Sequence, residues 1–140
     1  MLPKWHLILT AIFCFILHFL GFSLQDILIV LVAGVFIDID HYFAYVIIKK
    51  DLSIKRAYQY SLDLEKKLKK GIKVKVPICI FHTIEFLIIL IILTISNRIF
   101  VPLLVAVLFH LLIDFIDGFF KDTMQFSKHS VIYSILSKQV

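Results

Sequence analysis

The chain has 140 residues, enough for one domain, and 61% of them are hydrophobic, against about 45–50% in an ordinary soluble protein. Mean hydropathy is +0.98, and phenylalanine alone supplies 14 residues. A domain this short leaves a large share of its surface outside, so the composition excludes a soluble globular enzyme and a disordered chain and points to lipid as the solvent. The formal charge of +5 is an excess that could attract nucleic acid, but its distribution along the chain favours a membrane surface, and no nucleic-acid partner is expected.

Four apolar segments follow in chain order: Trp5–Leu20, Asp26–Ile48, Pro77–Ser96 and Ile99–Phe120. Each is close to the roughly 20 residues a helix needs to cross the hydrocarbon core. Backbone polar groups in lipid must be satisfied within the segment, which selects helices over strands. The expected fold is all-α: a polytopic membrane protein with four transmembrane helices, residues 1–140 forming a single membrane domain. The first segment has the length of a signal peptide, but the sequence after it, Gly21-Phe22-Ser23-Leu24-Gln25, offers no A-x-A-like cleavage site, so it is read as retained. Cys14 and Cys79 lie within apolar runs and read as reduced packing residues.

Basic residues set the orientation. Lys4 precedes the first segment, ten of the fifteen basic residues lie between Lys49 and Lys75, and Lys121, Lys128 and Lys138 follow the fourth. The link between segments one and two carries none, and Arg98 alone lies between three and four. Both termini and the basic loop 49–76 are therefore expected in the cytoplasm, with the protein in the inner (cytoplasmic) membrane. Within the loop, Asp51–Lys70 reads as an amphipathic helix with Ile54, Ala57, Ser61, Leu64 and Leu68 on one face and Gly71 as its stop. Tyr58, Tyr60 and the Lys66, Lys67, Lys69, Lys70 cluster suit an interfacial helix against anionic headgroups; a solvated charged loop is the alternative.

The ionisable residues inside the segments carry the functional information. They are Asp38, Asp40 and His41 in the second, His82 and Glu85 in the third, and His110, Asp114 and Asp117 in the fourth. An aspartate at a helix centre costs about 2.5–3.5 kcal/mol on the lenient insertion scale, and five carboxylates on the order of 10–15 kcal/mol together. No Lys or Arg occurs inside the four segments, which leaves protonation, histidinium or a bound cation as neutraliser. Carboxylates with neutral imidazoles are the donors that Zn²⁺, Mn²⁺ or Fe²⁺ take; one or two ions per chain are expected, and two would nearly cancel the five negative charges. Zinc comes first among these.

Depth points the same way. His41 lies eight residues before Lys49, His82 seven after Lys75, and Asp114 seven before Lys121, which puts all three about 10–12 Å inside the basic boundary. Asp38, Glu85 and His110 stand about 5 Å deeper. Asp38 with His41, and His82 with Glu85, share i,i+3 faces, and His110, Asp114 and Asp117 form an i,i+4,i+7 stripe. Asp40 falls on another face, as an outer partner, a neighbouring-site ligand or the mark of a distorted helix. His6 sits at the cytoplasmic end of the first segment and completes the expected metal set of His6, Asp38, His41, His82, His110 and Asp114. His18 lies near the opposite face and reads as packing. Any one of these residues taken singly could be a hydrogen bonder between helices. Cys79, three residues before His82, suggests a thiol–imidazole nucleophile, but no activating arrangement accompanies it.

A His near the start of the first helix, the run Asp38–Ile39–Asp40–His41, the pair His82–Thr83 and the H-x3-D stripe His110–Leu111–Leu112–Ile113–Asp114 together resemble the YdjM-type inner-membrane proteins, described as metal-dependent hydrolases. The likeness follows motif order over nearly the whole chain, and D-x-D-H is its most specific part. Pro77 stands where that family's H-R-G-F-T-H-S segment would place a further histidine, and Ile37 where a proline usually precedes D-x-D-H. The resemblance implies a polytopic helical fold, a metal site at the cytoplasmic side and hydrolysis. The residues then read as a membrane-embedded hydrolase of an unidentified, phosphorylated or lipidic ester, with Glu85 or Asp40, or else Asp117, as general base. A divalent cation or proton transporter and a non-catalytic metal-clamped scaffold stay open, as does a homo-oligomer.

Overall fold

The computed structural model describes residues 3–72, 74, 79–121 and 130–132. These residues form helices and connecting turns, with no strand among them. The helices are α1 (Pro3–Phe19), α2 (Leu24–Phe36), α3 (Ile39–Lys49), α4 (Ile54–Lys69), α5 (Ile84–Ser96) and α6 (Val101–Phe120). Lys75, Pro77, Lys128 and Lys138, which entered the orientation and motif readings, lie outside the described residues.

Two stretches are long and apolar enough to cross a membrane, Leu24–Lys49 and Arg98–Phe120, while Lys4–Phe19 and Ile84–Ser96 are shorter apolar helices. Apolar side chains cover the outside: Phe15, Phe19, Ile47 and Ile95 are all exposed. So large an exposed apolar surface is what marks a protein–protein or membrane contact. The third apolar segment, expected as one helix from Pro77, begins its α-helix only at Ile84. Thr83 is the reason. Its backbone is extended (φ −95°, ψ 152°) and its hydroxyl accepts the N–H of Phe86, so it caps α5 and leaves Ile80–His82 as a separate 3-10 turn.

The second segment also divides. Ile37 and Asp38 form a turn between α2 and α3, with Asp38 at φ −67°, ψ −3° and the His41 N–H donating to the Asp38 carbonyl. Such an i→i−3 contact tightens the chain and changes helical phase. Neither proline nor glycine marks the break. It accounts for Asp40, which a continuous helix would turn away from Asp38 and His41.

α2 packs against α1 and α6, and α5 against α6, whereas α3 packs on α4. Cys14, Leu17, Val30 and Ala106 form one buried cluster and Ile37, Leu90 and Val107 another. Gly34 lets α1 and α2 approach closely: a Cβ there would lie 2.8 Å from Thr10 Cγ2. α4 starts on the cap Ser53, whose hydroxyl accepts the Arg56 N–H, and stops at Gly71 with φ +68°. Ala57 is buried on its inner face, and Tyr60 meets Tyr45 of α3, but Ile54, expected on that face, is exposed.

Candidate metal centre

Each donor reaches the centre for a local reason. His6 lies on the first turns of α1 and is 1% exposed. Asp38 sits at the turn between α2 and α3, which frees its carboxylate from a helical face. His82 closes the 3-10 turn before Thr83. His110 and Asp114 are i,i+4 neighbours on α6, one turn apart.

These residues converge. His6 Nε2 stands 3.1 Å from Asp114 Oδ1 and 3.7 Å from Asp38 Oδ2. His110 Nε2 is 3.4 Å from both Asp38 Oδ1 and Asp114 Oδ2. His82 Nε2 is 3.5 Å from Asp38 Oδ1, 3.4 Å from Asp114 Oδ2 and 3.3 Å from His110 Nε2. The rings of His6 and His110 are stacked with centroids 4.1 Å apart. His6, Asp38, His110 and Asp114 could together hold a metal ion, as could Asp38, His41 and His82.

Proton positions follow from the outer contacts. His110 Nδ1 lies 2.8 Å from the Gly34 carbonyl; a carbonyl only accepts, so Nδ1 carries the proton. His82 Nδ1 lies 3.2 Å from Asp40 Oδ2, which also accepts the Phe81 N–H at 3.0 Å. With Asp40 ionised, this ring too donates from Nδ1. Both Nε2 atoms are left facing each other and the carboxylates of Asp38 and Asp114. As bare lone pairs they repel those oxygens. As two imidazoliums they place like charges 3.3 Å apart, and one proton shared between the rings leaves two carboxylates facing a single positive charge. One cation between them satisfies every donor at once.

The separations fit that cation. Donors at about 2.0–2.2 Å from one ion in a tetrahedral array stand about 3.3–3.6 Å from each other. His6 adds a further mark: its buried Nδ1 has no hydrogen-bond partner, a costly state for a polar group, while its Nε2 faces Asp114.

Other expected residues lie elsewhere. Glu85 does not share a helix face with His82, because the extended Thr83 intervenes. Its carboxylate accepts the Ser130 hydroxyl at 2.6 Å and the N–H groups of Val131 and Ile132 at 3.2 Å each. Asp117 accepts from Lys121 at 2.8 Å, and Lys121 also meets Glu65 of α4 at 3.2 Å. Burial opposes charge on Glu65, but Lys69 and Lys121 hold its carboxyl below the usual range. Burial also opposes charge on Lys121, but Asp117 and Glu65 hold its ammonium above the usual range. His41 is peripheral, its side chain 46% exposed and its Nε2 3.6 Å from Asp38 Oδ1. His18 is exposed beside Phe19.

Sequence reasoning missed two partners. Gly34, a glycine inside an apolar helix, was the available signal for a close approach and an accessible carbonyl. Cys79 pairs with His41, at 3.0 Å from Sγ to Nδ1, rather than with the nearer-in-sequence His82.

No family model, curated protein or solved structure matches the chain. The chemistry of the centre therefore rests on its own residues.

Proposed function

We propose that the protein is a multi-pass inner-membrane, metal-dependent hydrolase whose centre opens to the cytoplasm. The observation that carries this reading is the pair of Nδ1-anchored imidazoles, His82 and His110, aiming Nε2 at the carboxylates of Asp38 and Asp114 with separations of 3.4–3.5 Å. Four crossings with both termini inside follow from the basic residues flanking the apolar segments. α4 lies along the inner leaflet, where its lysines meet anionic headgroups.

His6, Asp38, His110 and Asp114, with His82 beside them, would hold the ion, zinc being the first choice for imidazole and carboxylate donors. A divalent ion so held supplies Lewis acidity and lowers the pKa of a bound water. Asp38 and Asp114 keep about a fifth of their side chains exposed, at 18% and 22%, so the ligand sphere is open on one side. Asp40 orients His82 through Oδ2 and keeps Oδ1 buried and without a hydrogen-bond partner. Of Asp40, Glu85 and Asp117, it is the one that touches a histidine of the centre, which makes it our choice of proton acceptor. Lysines at the cytoplasmic rim favour an ester with an anionic head.

The near-complete burial of His6 and His110, at 1% and 0%, favours a second reading, a metal clamp without catalysis. Metal analysis of the detergent-purified protein tests the shared premise: wild type should carry stoichiometric transition metal, and Asp114→Asn with His82→Ala should lose it. Unchanged metal content would sink both readings. Hydrolysis of a panel of phosphoesters and carboxylic esters by the loaded protein separates them, since a clamp gives none.

A further inference from the structure

We propose that Asp40, His41 and Cys79 form a second cation subsite, selective for thiophilic divalent ions of the zinc class. One donor atom from each lies within 4.8 Å of the others. Cys79 Sγ and His41 Nδ1 are 3.0 Å apart across 38 residues of sequence, and Cys79 is buried. The independent mark is Asp40. Its side chain is 10% exposed, Oδ2 accepts from Phe81 and His82, and Oδ1 is buried with no hydrogen-bond partner. A buried carboxylate oxygen lacking a donor is costly, and a cation beside it supplies what is missing.

The donor set differs from the first centre by its sulfur. Thiolate with imidazole and carboxylate selects zinc, cadmium or cobalt over magnesium or calcium. Sulfur and nitrogen on one tetrahedral ion stand about 3.5 Å apart, so the Cys79–His41 contact opens by a few tenths of an ångström on loading. The S–H bond breaks, a metal–sulfur bond forms and the proton leaves to water. His41 coordinates through Nδ1 and keeps its proton on Nε2, which faces Asp38 Oδ1 at 3.6 Å. The exposed edge of its ring gives the ion a way in. The subsite stands on its own geometry; under the hydrolytic reading, an ion there takes the Asp40 carboxylate out of proton transfer and so inhibits.

Cadmium titration of the metal-stripped, detergent-solubilised full chain tests this, following thiolate-to-cadmium ultraviolet absorption and counting bound ions. Two ions per chain are expected in wild type, with the thiolate band present. Cys79→Ser should lose the band and one ion, while Cys14→Ser keeps both. Asp40→Asn should retain the thiol but need about tenfold more cadmium to develop the band, which keeps the test sharp if Cys79→Ser folds poorly. A band that survives Cys79→Ser, or wild type that binds cadmium without one, overturns the subsite. His110→Ala should remove the other ion and leave the band. If its ion count is unchanged while Cys79→Ser still loses the band, the first centre fails and the subsite stands.

Discussion

His110 Nδ1 donates to the carbonyl of Gly34 at 2.8 Å, although 76 residues separate them. Gly34 lies in the last turn of α2, where helix carbonyls run out of ladder donors, and such an oxygen is reachable by a ring only where nothing bulky covers it. Gly34 provides that opening, and in doing so fixes which nitrogen of His110 faces Asp38 and Asp114.

Gly34→Ala is therefore expected to reach the centre through packing. The added Cβ would lie 2.8 Å from Thr10 Cγ2 and 3.2 Å from Thr10 Oγ1, and Thr10 is a β-branched residue only 1% exposed. Overpacking costs about 1–3 kcal/mol, which outweighs the roughly 1 kcal/mol that alanine gains over glycine in a helix. Thermal unfolding in detergent should show a lower midpoint with reduced metal content. Adding Thr10→Ala should restore both; failure to do so would place the effect outside the α1–α2 seam.

Asp40→Asn keeps the shape of the contact to His82 Nδ1 but removes its charge. Removing a carboxylate behind a metal-bound imidazole typically weakens the ion by about 10–100-fold. Competition with a chromophoric chelator should report a loss in that range at the first centre. An affinity equal to wild type would mean that Asp40 does not tune His82.

Glu85→Gln separates two roles. The carboxylate now receives one hydroxyl and two backbone N–H groups from residues 130–132, and an amide can serve fewer of them. Exchange at the Val131 and Ile132 amides should rise by about tenfold, the value of one charge-assisted bond of about 1.5 kcal/mol. Metal content should not change. Loss of the ion with these amides still protected would return Glu85 to the centre.

Asp51 governs the joint between α3 and α4. It receives Arg56 Nε and Nη2 at 2.6 and 2.7 Å, the Tyr45 hydroxyl and the Ser53 N–H. The Arg56 guanidinium, with Tyr45 beside it, holds its carboxyl well below the ordinary range. A depressed pKa means that the stabilisation is complete above the unfolded value of about 3.9 and is lost as pH falls towards the folded one. Asp51→Asn should therefore melt lower than wild type at neutral pH. The gap should narrow below about pH 3, and a gap independent of pH would contradict the assignment.

Much of the arrangement was legible before any coordinates. Ionisable residues without a basic partner inside apolar segments had to meet something, and two neighbouring depths shared by separate helices brought His82 and Asp114 close to Asp38 and His110, although the same depths also held Glu85, which turns to residues 130–132. Two things were not legible. The turn at Ile37–Asp38 carries no proline or glycine, so a continuous 3.6-residue phase misplaces Asp40. Thr83 was read as half of a motif pair rather than as a cap, and a cap at that position divides His82 from Glu85. In both cases the missing information is a local backbone choice settled by tertiary contacts rather than by the residue's own propensity.

The break at Ile37–Asp38 has a mechanical side. α2 packs with α1 and α6, while α3 packs on α4; Asp38 stands at the joint between the two groups, and Lys121 at the end of α6 also reaches Glu65 of α4. Asp38 touches His6 and His110 on one side and His41 on the other. Whatever settles among these side chains therefore sutures the two groups of helices to each other.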